Sequence, residues 1–172
     1  NFGVKVIGIP GTIDNDLNYT DFTLGFDTAV NTVLWAINNL RDTFHSHDRV
    51  GLLEVMGRNC GDIALYAGVA GGAEYVLVPE IPFDLDEIAS SIKKSYLRGK
   101  TSNMIILAEG AGNRDEIADY IAKKSGIGVK VNNFGYIQRG GSPNMQDRVL
   151  AARFGYKAVE LLKENKDSCA IG

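Results

Sequence analysis

Two carboxylates and a hydroxyl lie close together in the segment Pro10-Gly11-Thr12-Ile13-Asp14-Asn15-Asp16. The segment follows the apolar run 4–9, and α/β proteins place reactive groups on loops that leave the carboxyl end of a buried strand. Asp14 and Asp16 are two residues apart, so in an extended loop both side chains point the same way and repel. Such a pair can raise the pKa of one carboxyl or hold a divalent cation, and both outcomes serve phosphoryl chemistry. The alternative is a plain turn, since Asn and Asp readily bond their own backbone.

Two further glycine-bearing loops carry an arginine suited to phosphate. Gly57-Arg58 lies at the start of a predicted helix, where free backbone N–H groups and the helix dipole favour an anion. A guanidinium adds a planar pair of donors there. In Gln138-Arg139-Gly140-Gly141-Ser142-Pro143, the adjacent glycines let the backbone approach a ligand beside an arginine. Taken alone, either arginine could equally be a solvated surface residue.

Alternating strands and helices predict an α/β fold of the three-layer αβα type, with mostly parallel sheets. The predicted strands are 4–9, 50–55, 75–78, 103–108 and 129–134, and the predicted helices are 25–43, 61–71, 84–98, 115–124 and 144–163. Asp84 with Glu87 is typical of a helix start. All the predicted strands except 75–78 end in polar, glycine-bearing loops. Because the carboxyl ends of parallel strands share one edge, those loops can converge on one crevice.

Composition restricts the classes of partner. The chain of 172 residues has a formal charge of -3 and no basic run, which gives nucleic-acid binding no support. We see no signal peptide or apolar membrane span, so we expect a cytoplasmic protein. Cys60 and Cys169 lack metal-ligand spacing and are interpreted as ordinary buried thiols. Because the sequence starts at Asn1 and stops where a strand is beginning, we expect a fragment of a longer chain.

Four separated motifs resemble, in order and spacing, those of the 6-phosphofructokinase family. They are Pro-Gly-Thr-Ile-Asp-Asn-Asp at 10–16, Gly-Phe-Asp-Thr-Ala at 25–29, Glu-Val-Met-Gly-Arg-Asn-Cys-Gly at 54–61 and Ile-Gln-Arg-Gly-Gly-Ser-Pro at 137–143. The resemblance covers essentially the whole chain and implies two Rossmann-like lobes. Residues 1–25 and 137–172 would then be parts of the nucleotide-binding lobe, and residues 26–136 the sugar-phosphate lobe.

The resemblance implies transfer of the γ-phosphoryl group of ATP, with Mg²⁺, to the 1-hydroxyl of fructose 6-phosphate in glycolysis. Asp14 matches the base that accepts the hydroxyl proton, and Thr12 matches a contact to the sugar and the moving phosphoryl group. Arg58 matches a group that offsets charge on the transferred phosphoryl. Asp16 matches a second acidic residue that orients the magnesium nucleotide, so it is the candidate metal residue. The resemblance also implies a homo-oligomer, a tetramer when full length.

A substrate site built from several loops is implied as well. Glu109 matches the acceptor of a sugar hydroxyl, and Arg139 matches a contact to the 6-phosphate. Arg49 precedes a strand and so lies at the edge opposite the crevice, but it matches a residue that a neighbouring subunit supplies. The remaining substrate-binding positions implied by the resemblance are Ile13, Met56, Gly57, Lys130, Tyr136, Ile137 and Gln138.

Two positions depart from the commonest family pattern. Tyr136 stands where many members have His, and it can donate one hydrogen bond but stays neutral near pH 7. Lys130 stands where an Arg usually reaches the 6-phosphate from the neighbouring subunit, and it keeps the charge without the bidentate fork. We therefore expect this chain to differ from the commonest members of the family in its affinity for fructose 6-phosphate.

Four charged residues match positions associated with a nucleotide effector in regulated bacterial members, although exposed charges at helix ends are commonly just solvated. They are Arg41, Glu74, Arg98 and Lys100. The family's nucleotide loops and main magnesium carboxylate would precede Asn1, so we expect residues 1–172 alone to be inactive. Gly11 favours ATP, because pyrophosphate-dependent relatives carry Lys there. A pyrophosphate-dependent phosphofructokinase and a non-catalytic sugar-phosphate-binding or regulatory paralogue remain the alternatives.

Overall fold

The computed structural model describes residues 3–172, which form two parallel sheets flanked by helices. Residues 1 and 2, and the part of the predicted nucleotide lobe that falls on them, lie outside the described residues. The strands are β1 (Ile7–Gly8), β2 (Val50–Val55), β3 (Tyr75–Leu77), β4 (Asn103–Ala108), β5 (Val129–Asn133) and β6 (Cys169–Ala170). The helices are α1 (Phe26–Ser46), α2 (Asp62–Ala70), α3 (Leu85–Leu97), α4 (Arg114–Ser125) and α5 (Met145–Lys163). Short 3₁₀ helices span Glu109–Ala111 and Gly135–Arg139.

The larger sheet has the strand order β3-β4-β2-β5, and every neighbouring pair is parallel. Parallel strands are covered on both faces, which is why β2 and β4 are near-continuous apolar runs. One face packs against α1 and α2, and the other against α3 and α4. The buried residues of the two faces include Phe26, Val33, Leu53, Ile63 and Ile106 on the first, and Leu52, Ile92, Ile105, Leu107 and Ile121 on the second. The predicted α/β fold with helices on both faces of a parallel sheet is confirmed.

The first predicted strand is wrong in both length and burial. Of the run 4–9, only Ile7–Gly8 is strand, and it pairs with Cys169–Ala170. Val4 and Val6 are largely exposed. A strand persists only where a neighbour supplies hydrogen bonds, and β6 offers two residues. The division of the chain into lobes after residues 25 and 136 stays a prediction.

The interpretation of both cysteines as buried thiols is wrong. Cys169, on the two-stranded sheet of β1 and β6, is exposed, and Cys60 is only half-buried. Burial is nevertheless the main cause that raises the pKa of the Cys60 thiol. Among the described residues, no helix is long and apolar enough to cross a bilayer.

Asp147, on α5, fixes the amino end of α1. Its buried carboxylate accepts hydrogen bonds from the backbone N–H groups of Gly25 (2.8 Å) and Thr28 (2.9 Å) and from the Thr28 hydroxyl. The first N–H groups of a helix have no partner within the helix, so a carboxylate there both caps it and complements its dipole. This contact docks α5, and with it the loop 139–143, against the segment that leads into α1.

Candidate active site

Asp14 is the most buried charged group of the candidate site. It is 5% exposed, and its Oδ1 has no hydrogen-bond partner among the described residues. Burial raises the pKa of this carboxyl, and the charge of Asp16 raises it further, whereas Arg58 and Arg139 lower it and Glu109 raises it slightly. Groups from four separate loops therefore act on one carboxyl. A carboxyl with a raised pKa at such a meeting point is suited to accept a proton.

The backbone at Asn15 determines the shape of the Asp14 loop. Asn15 has a left-handed conformation, with a φ of 55°. Its Nδ2 donates to Asp62 Oδ2 at 2.7 Å, and its Oδ1 accepts from the backbone N–H of Thr23 at 3.0 Å. The expectation of an extended loop is therefore wrong, and Asp14 is buried while Asp16 is exposed. The sequence left a plain turn at Asp14-Asn15-Asp16 as the alternative, and the tolerance of Asn for a left-handed conformation is the signal that favours it.

Thr12 and Ile13 complete the loop. The Thr12 Oγ1 accepts a hydrogen bond from the Asp14 backbone N–H at 3.1 Å, which leaves the hydroxyl proton free to be donated to a ligand. Ile13 lines a cavity of about 340 Å³ together with Arg139 and the glycines at 140 and 141. The cavity thus connects the Asp14 loop to the predicted phosphate loop.

Gly57 and Arg58 form a tight turn before α2 rather than the start of the helix. Gly57 has a φ of 134°, and a Cβ there would lie 2.4 Å from the Cys60 carbonyl oxygen, so only glycine fits. Arg58 itself has a φ of 53°. The nearby Gly61 N–H donates to the Glu80 carboxylate at 2.7 Å and is not free for an anion, and the predicted anion site stays a prediction. What the turn offers an anion is the exposed Arg58 side chain.

The turn of Arg58 packs closely against the loop after β4. The Arg58 backbone N–H donates to Glu109 Oε1 at 2.8 Å. A Cβ on Gly110 would lie 2.1 Å from the Arg58 carbonyl oxygen, so the backbones touch only because this residue is glycine. Glu109 is exposed and retains a second carboxylate oxygen. That oxygen is available to accept a hydrogen bond from a ligand hydroxyl.

The 3₁₀ helix Gly135–Arg139 presents some of its predicted residues to solvent and uses one internally. Gln138 is 1% exposed; its Oε1 accepts from the Met56 backbone N–H at 3.0 Å, and its Nε2 donates to the Gly135 carbonyl at 2.9 Å. Tyr136 and Ile137 are exposed, and the Arg139 guanidinium lies 5.4 Å from the centre of the Tyr136 ring. Gln138 therefore positions the turn after β2, which sequence reasoning did not anticipate.

Arg49 and Lys130 are not brought to Asp14 within this chain. Arg49 directly precedes β2 and Arg58 follows it, so a strand of about 20 Å separates them. Lys130 lies near the amino end of β5, where it pairs in register with Gly51. The two exposed cations therefore lie on neighbouring strands at the amino edge of the sheet, opposite the Asp14 loop.

Three of the four predicted effector residues come together. Arg41, Glu74 and Lys100 line one cavity of about 390 Å³, in which Lys100 Nζ lies 2.7 Å from Glu74 Oε1. Asn103 also lines it, and its Nδ2 is buried without a partner among the described residues. Arg98 directly follows α3 as its C-cap and is not part of the lining.

No group of three or more His, Cys, Asp or Glu side chains among residues 3–172 could by itself hold a metal ion. Mg²⁺ often binds through one or two carboxylates together with substrate phosphates and water. The exposed carboxylate of Asp16 fits that kind of partial site. Any magnesium bound here would therefore take most of its ligands from elsewhere.

Comparisons with known proteins agree on one family. A family model described as Phosphofructokinase matches residues 1–162. The chain is 61% identical over 170 residues to an ATP-dependent 6-phosphofructokinase of Clostridium tetani, and 59% identical to ATP-dependent 6-phosphofructokinase 1 of Clostridium perfringens. Each match covers 99% of this chain and 53% of the relative. The chain therefore spans about half the length of the curated relatives it matches.

Solved structures show the same relationship. Phosphofructokinase from Saccharomyces cerevisiae aligns with a TM-score of 0.84 at 33% identity, over 91% of this chain and 22% of that one. A pyrophosphate-dependent phosphofructokinase from Nitrosospira multiformis aligns with a TM-score of 0.84 at 26% identity, over 96% of this chain and 46% of that one. The fold is therefore shared with two phosphofructokinase structures, one of which is named for pyrophosphate as its donor.

Proposed function

The chain belongs to the phosphofructokinase family, and from this premise we propose that it carries the acceptor site of an ATP-dependent 6-phosphofructokinase. The reaction is phosphorylation of the 1-hydroxyl of fructose 6-phosphate, giving fructose 1,6-bisphosphate. One observation carries the proposal: a buried carboxyl with a raised pKa, Asp14, is paired with an exposed arginine, Arg58, where four loops meet. A cytoplasmic location is part of the same proposal.

Each site residue has a chemical task in this reaction. Asp14 accepts the proton of the attacking hydroxyl, and the solvated guanidinium of Arg58 offsets charge on the transferred group. The free carboxylate oxygen of Glu109 accepts a hydrogen bond from a sugar hydroxyl. Arg139, beside flexible glycines, binds the 6-phosphate. The Thr12 hydroxyl donates to the sugar or to the phosphoryl oxygens.

Phosphoryl transfer also needs a nucleotide and a cation. A Mg²⁺ ion bound with ATP would supply neutralisation of the phosphate charge. Asp16, exposed beside Asp14, would hold or orient that cation. Among the described residues the glycine-bearing loops serve the acceptor side, so the nucleotide cradle is proposed to come from elsewhere in the enzyme.

A homo-oligomer completes the site in this proposal. Arg49 and Lys130 lie together at the sheet edge opposite Asp14, where they can serve the site of a neighbouring subunit but not their own. A tetramer is the proposed full assembly. The cavity lined by Arg41, Glu74 and Lys100 is the proposed place for a nucleotide effector.

ATP is favoured over pyrophosphate as the donor. The clostridial relatives quoted above are named ATP-dependent enzymes. Gly11 has no atom within 4 Å of the place where a Cβ would lie, so the loop has room for a side chain that this sequence does not supply. That open space is consistent with a larger donor than pyrophosphate.

The test is an assay of the encoded full-length protein with fructose 6-phosphate and either ATP or pyrophosphate, each with Mg²⁺. We expect formation of fructose 1,6-bisphosphate with ATP, and its loss in Asp14→Ser. Turnover with pyrophosphate alone would instead support the pyrophosphate-dependent alternative. Saturable fructose 6-phosphate binding without turnover with either donor would support the regulatory paralogue.

A further inference from the structure

An ion pair joins the two central loops of the site at a second point. Glu54, the fifth residue of β2, places Oε2 2.6 Å from Nη1 of Arg114, the first residue of α4. The Glu54 side chain is only 12% exposed and that of Arg114 is 35% exposed. The hydrogen bond and the charge of Glu54 raise the pKa of Arg114. The pair is therefore more enclosed than an ordinary surface ion pair, and its loss should disturb the segments that it joins.

The chain between these contacts contains the functional groups. Four residues after Glu54 comes Arg58, whose N–H donates to Glu109, and five residues after Glu109 comes Arg114. The segments 54–58 and 109–114 are thus held at both ends, by an ion pair at one and by a hydrogen bond from a backbone N–H to a side-chain carboxylate at the other. Between these two contacts, Gly110 lies so close to the Arg58 backbone that a Cβ on it would be 2.1 Å from the Arg58 carbonyl oxygen.

We propose that Arg114 is a positioning residue for the Glu109 loop. Arg114 holds the start of α4 against β2. This keeps one Glu109 oxygen hydrogen-bonded to the Arg58 N–H and leaves the other oxygen free for a hydroxyl of the sugar. The inference rests on the proposed function, because it assumes that Glu109 contacts the acceptor. No role in the chemistry itself is assigned to Arg114, which does not contact Asp14.

Loss of the arginine has a defined physical consequence. Without it, the mostly buried Glu54 carboxylate has no cation beside it, and it must recruit water or move. Either change displaces the first turn of α4 and the five-residue connection 109–113. The Arg58 to Glu109 hydrogen bond, now 2.8 Å, weakens with a shift of about half an ångström. Sugar-phosphate affinity should suffer, while nucleotide affinity should not.

Arginine suits this position better than another cation, because its guanidinium lies close to two carboxylates. Nη1 bonds Glu54, while Nε lies 3.6 Å from Oδ2 of Asp115, an exposed side chain. A lysine at this position reaches Glu54 with a single ammonium and gives up the fixed fork. Lysine should therefore restore most, but not all, of the positioning.

The experiment uses the encoded full-length protein and measures KM for fructose 6-phosphate and for ATP separately. Arg114→Met is expected to raise the sugar-phosphate KM by about tenfold and to change the ATP KM by less than about twofold. Arg114→Lys should recover to within about threefold of the parent enzyme. Glu54→Gln combined with Arg114→Met should cost less than the sum of the single changes, because the stranded carboxylate is gone.

Lys124→Met is the matched control. It removes a cation from the same helix and breaks an exposed pair with Asp86 at 2.9 Å. It should leave both KM values unchanged. Thermal unfolding of every variant identifies those that are destabilised.

Different results would overturn the proposed function and the positioning role of Arg114. If the parent enzyme does not turn over fructose 6-phosphate, the proposed function fails, whatever the variants do. If the parent is active and Arg114→Met changes both KM values alike, matches Lys124→Met, or is not rescued by Lys, the positioning role is overturned. A lowered melting temperature with an unchanged sugar-phosphate KM also overturns it.

Discussion

The guanidinium Nε of Arg58 lies 3.4 Å from Oδ2 of Asp14, in a pair whose arginine side chain is 72% exposed and whose carboxylate side chain is 7% exposed. The asymmetry matters because the solvated arginine stabilises the carboxylate only weakly. Burial, the largest cause, therefore keeps the pKa of Asp14 raised despite the nearby cation. In the proposed reaction, the arginine would turn towards a phosphoryl group at little electrostatic cost, while Asp14 would stay in place to accept a proton.

Asp14→Ser should abolish most of the catalysis. We expect kcat to fall by ~10²–10⁴-fold, the range of a general base, with little change in KM for fructose 6-phosphate. Asp21→Ser, an exposed aspartate in the same connection between β1 and α1, is the control and should keep the parent kcat. Steady-state kinetics of the full-length protein decide the matter. A near-normal kcat in Asp14→Ser removes the residue from the role of base.

The pH dependence of kcat/KM should respond in opposite directions to two neighbouring charges. Asp14 must be ionised to act, so activity falls as the pH drops through its pKa. Asp16 raises the Asp14 pKa and Arg58 lowers it. Asp16→Asn should therefore move the acid limb to lower pH, and Arg58→Gln should move it to higher pH. Profiles normalised to their own maxima test this, and a shift of both variants in one direction contradicts it.

Asp14 should also reduce stability at neutral pH. Its folded-state pKa is raised above the unfolded value, so the native state binds more protons than the unfolded state between the two pKa values. The contribution of Asp14 to the free energy of unfolding is therefore fully present below its unfolded pKa, about 3.9, and is lost as the pH rises through its folded pKa. We expect Asp14→Asn to melt at a higher temperature than the parent at pH 7, with the difference shrinking towards pH 4. A variant that melts lower at pH 7 would falsify this sign.

Gly110→Ala should damage the sugar-phosphate site more than an ordinary loop substitution does. The added Cβ would lie 2.1 Å from the Arg58 carbonyl oxygen, so the two loops must separate and the Arg58 to Glu109 hydrogen bond must lengthen. Gly128→Ala is the matched control, because a Cβ there meets no atom within 4 Å. We expect a raised KM for fructose 6-phosphate in Gly110→Ala alone. Equal KM values in the two variants would show that the contact is not needed.

Local patterns predicted some elements well and missed others for physical reasons. The bounds of β2 and β4 agree with the predicted 50–55 and 103–108, since strands buried on both faces are near-continuous apolar runs. The pattern for 4–9 was also apolar, but it could not show that its neighbouring strand has only two paired residues. An apolar run indicates that a segment is buried, whereas the length of a strand depends on how many residues its neighbouring strand offers for pairing.

The candidate site divides in the same way. Parallel topology predicted that the loops holding Arg58 and Glu109 would share an edge, and they follow neighbouring strands of one sheet. The Asp14 loop follows β1 of the other sheet, which the sequence pattern did not show. The inward amide of Gln138 and the Glu54 to Arg114 pair were not predictable, because they join residues 82 and 60 positions apart. The local sequence around Gln138, Glu54 or Arg114 does not specify which polar group elsewhere in the chain forms a hydrogen bond with its side chain. Residues that hold a site together are therefore harder to find than residues that offer chemistry to a ligand.

Mixed oligomers should recover activity that neither parent mutant has. Arg49 lies at the amino end of β2, about 20 Å from the carboxyl end that carries Arg58, so it cannot serve the Asp14 site of its own chain. If it serves a neighbour, Arg49→Ala and Asp14→Ser damage different halves of a shared site. A hybrid oligomer then contains some sites with an intact Asp14 from one subunit and an intact Arg49 from another.

The full-length variants are unfolded together, refolded and separated by a charge tag, so that hybrid species are isolated before assay. We expect activity in the hybrids well above that of either variant, and none in a mixture that was never unfolded. Hybrids made with Lys130→Ala instead of Arg49→Ala should recover activity to the same extent. Lys130 pairs with Gly51 of β2, so it lies at the same edge of the sheet as Arg49. Hybrids with verified mixed composition and no recovery would show that Arg49 does not complete a neighbouring site, and that it is a solvated residue before a strand.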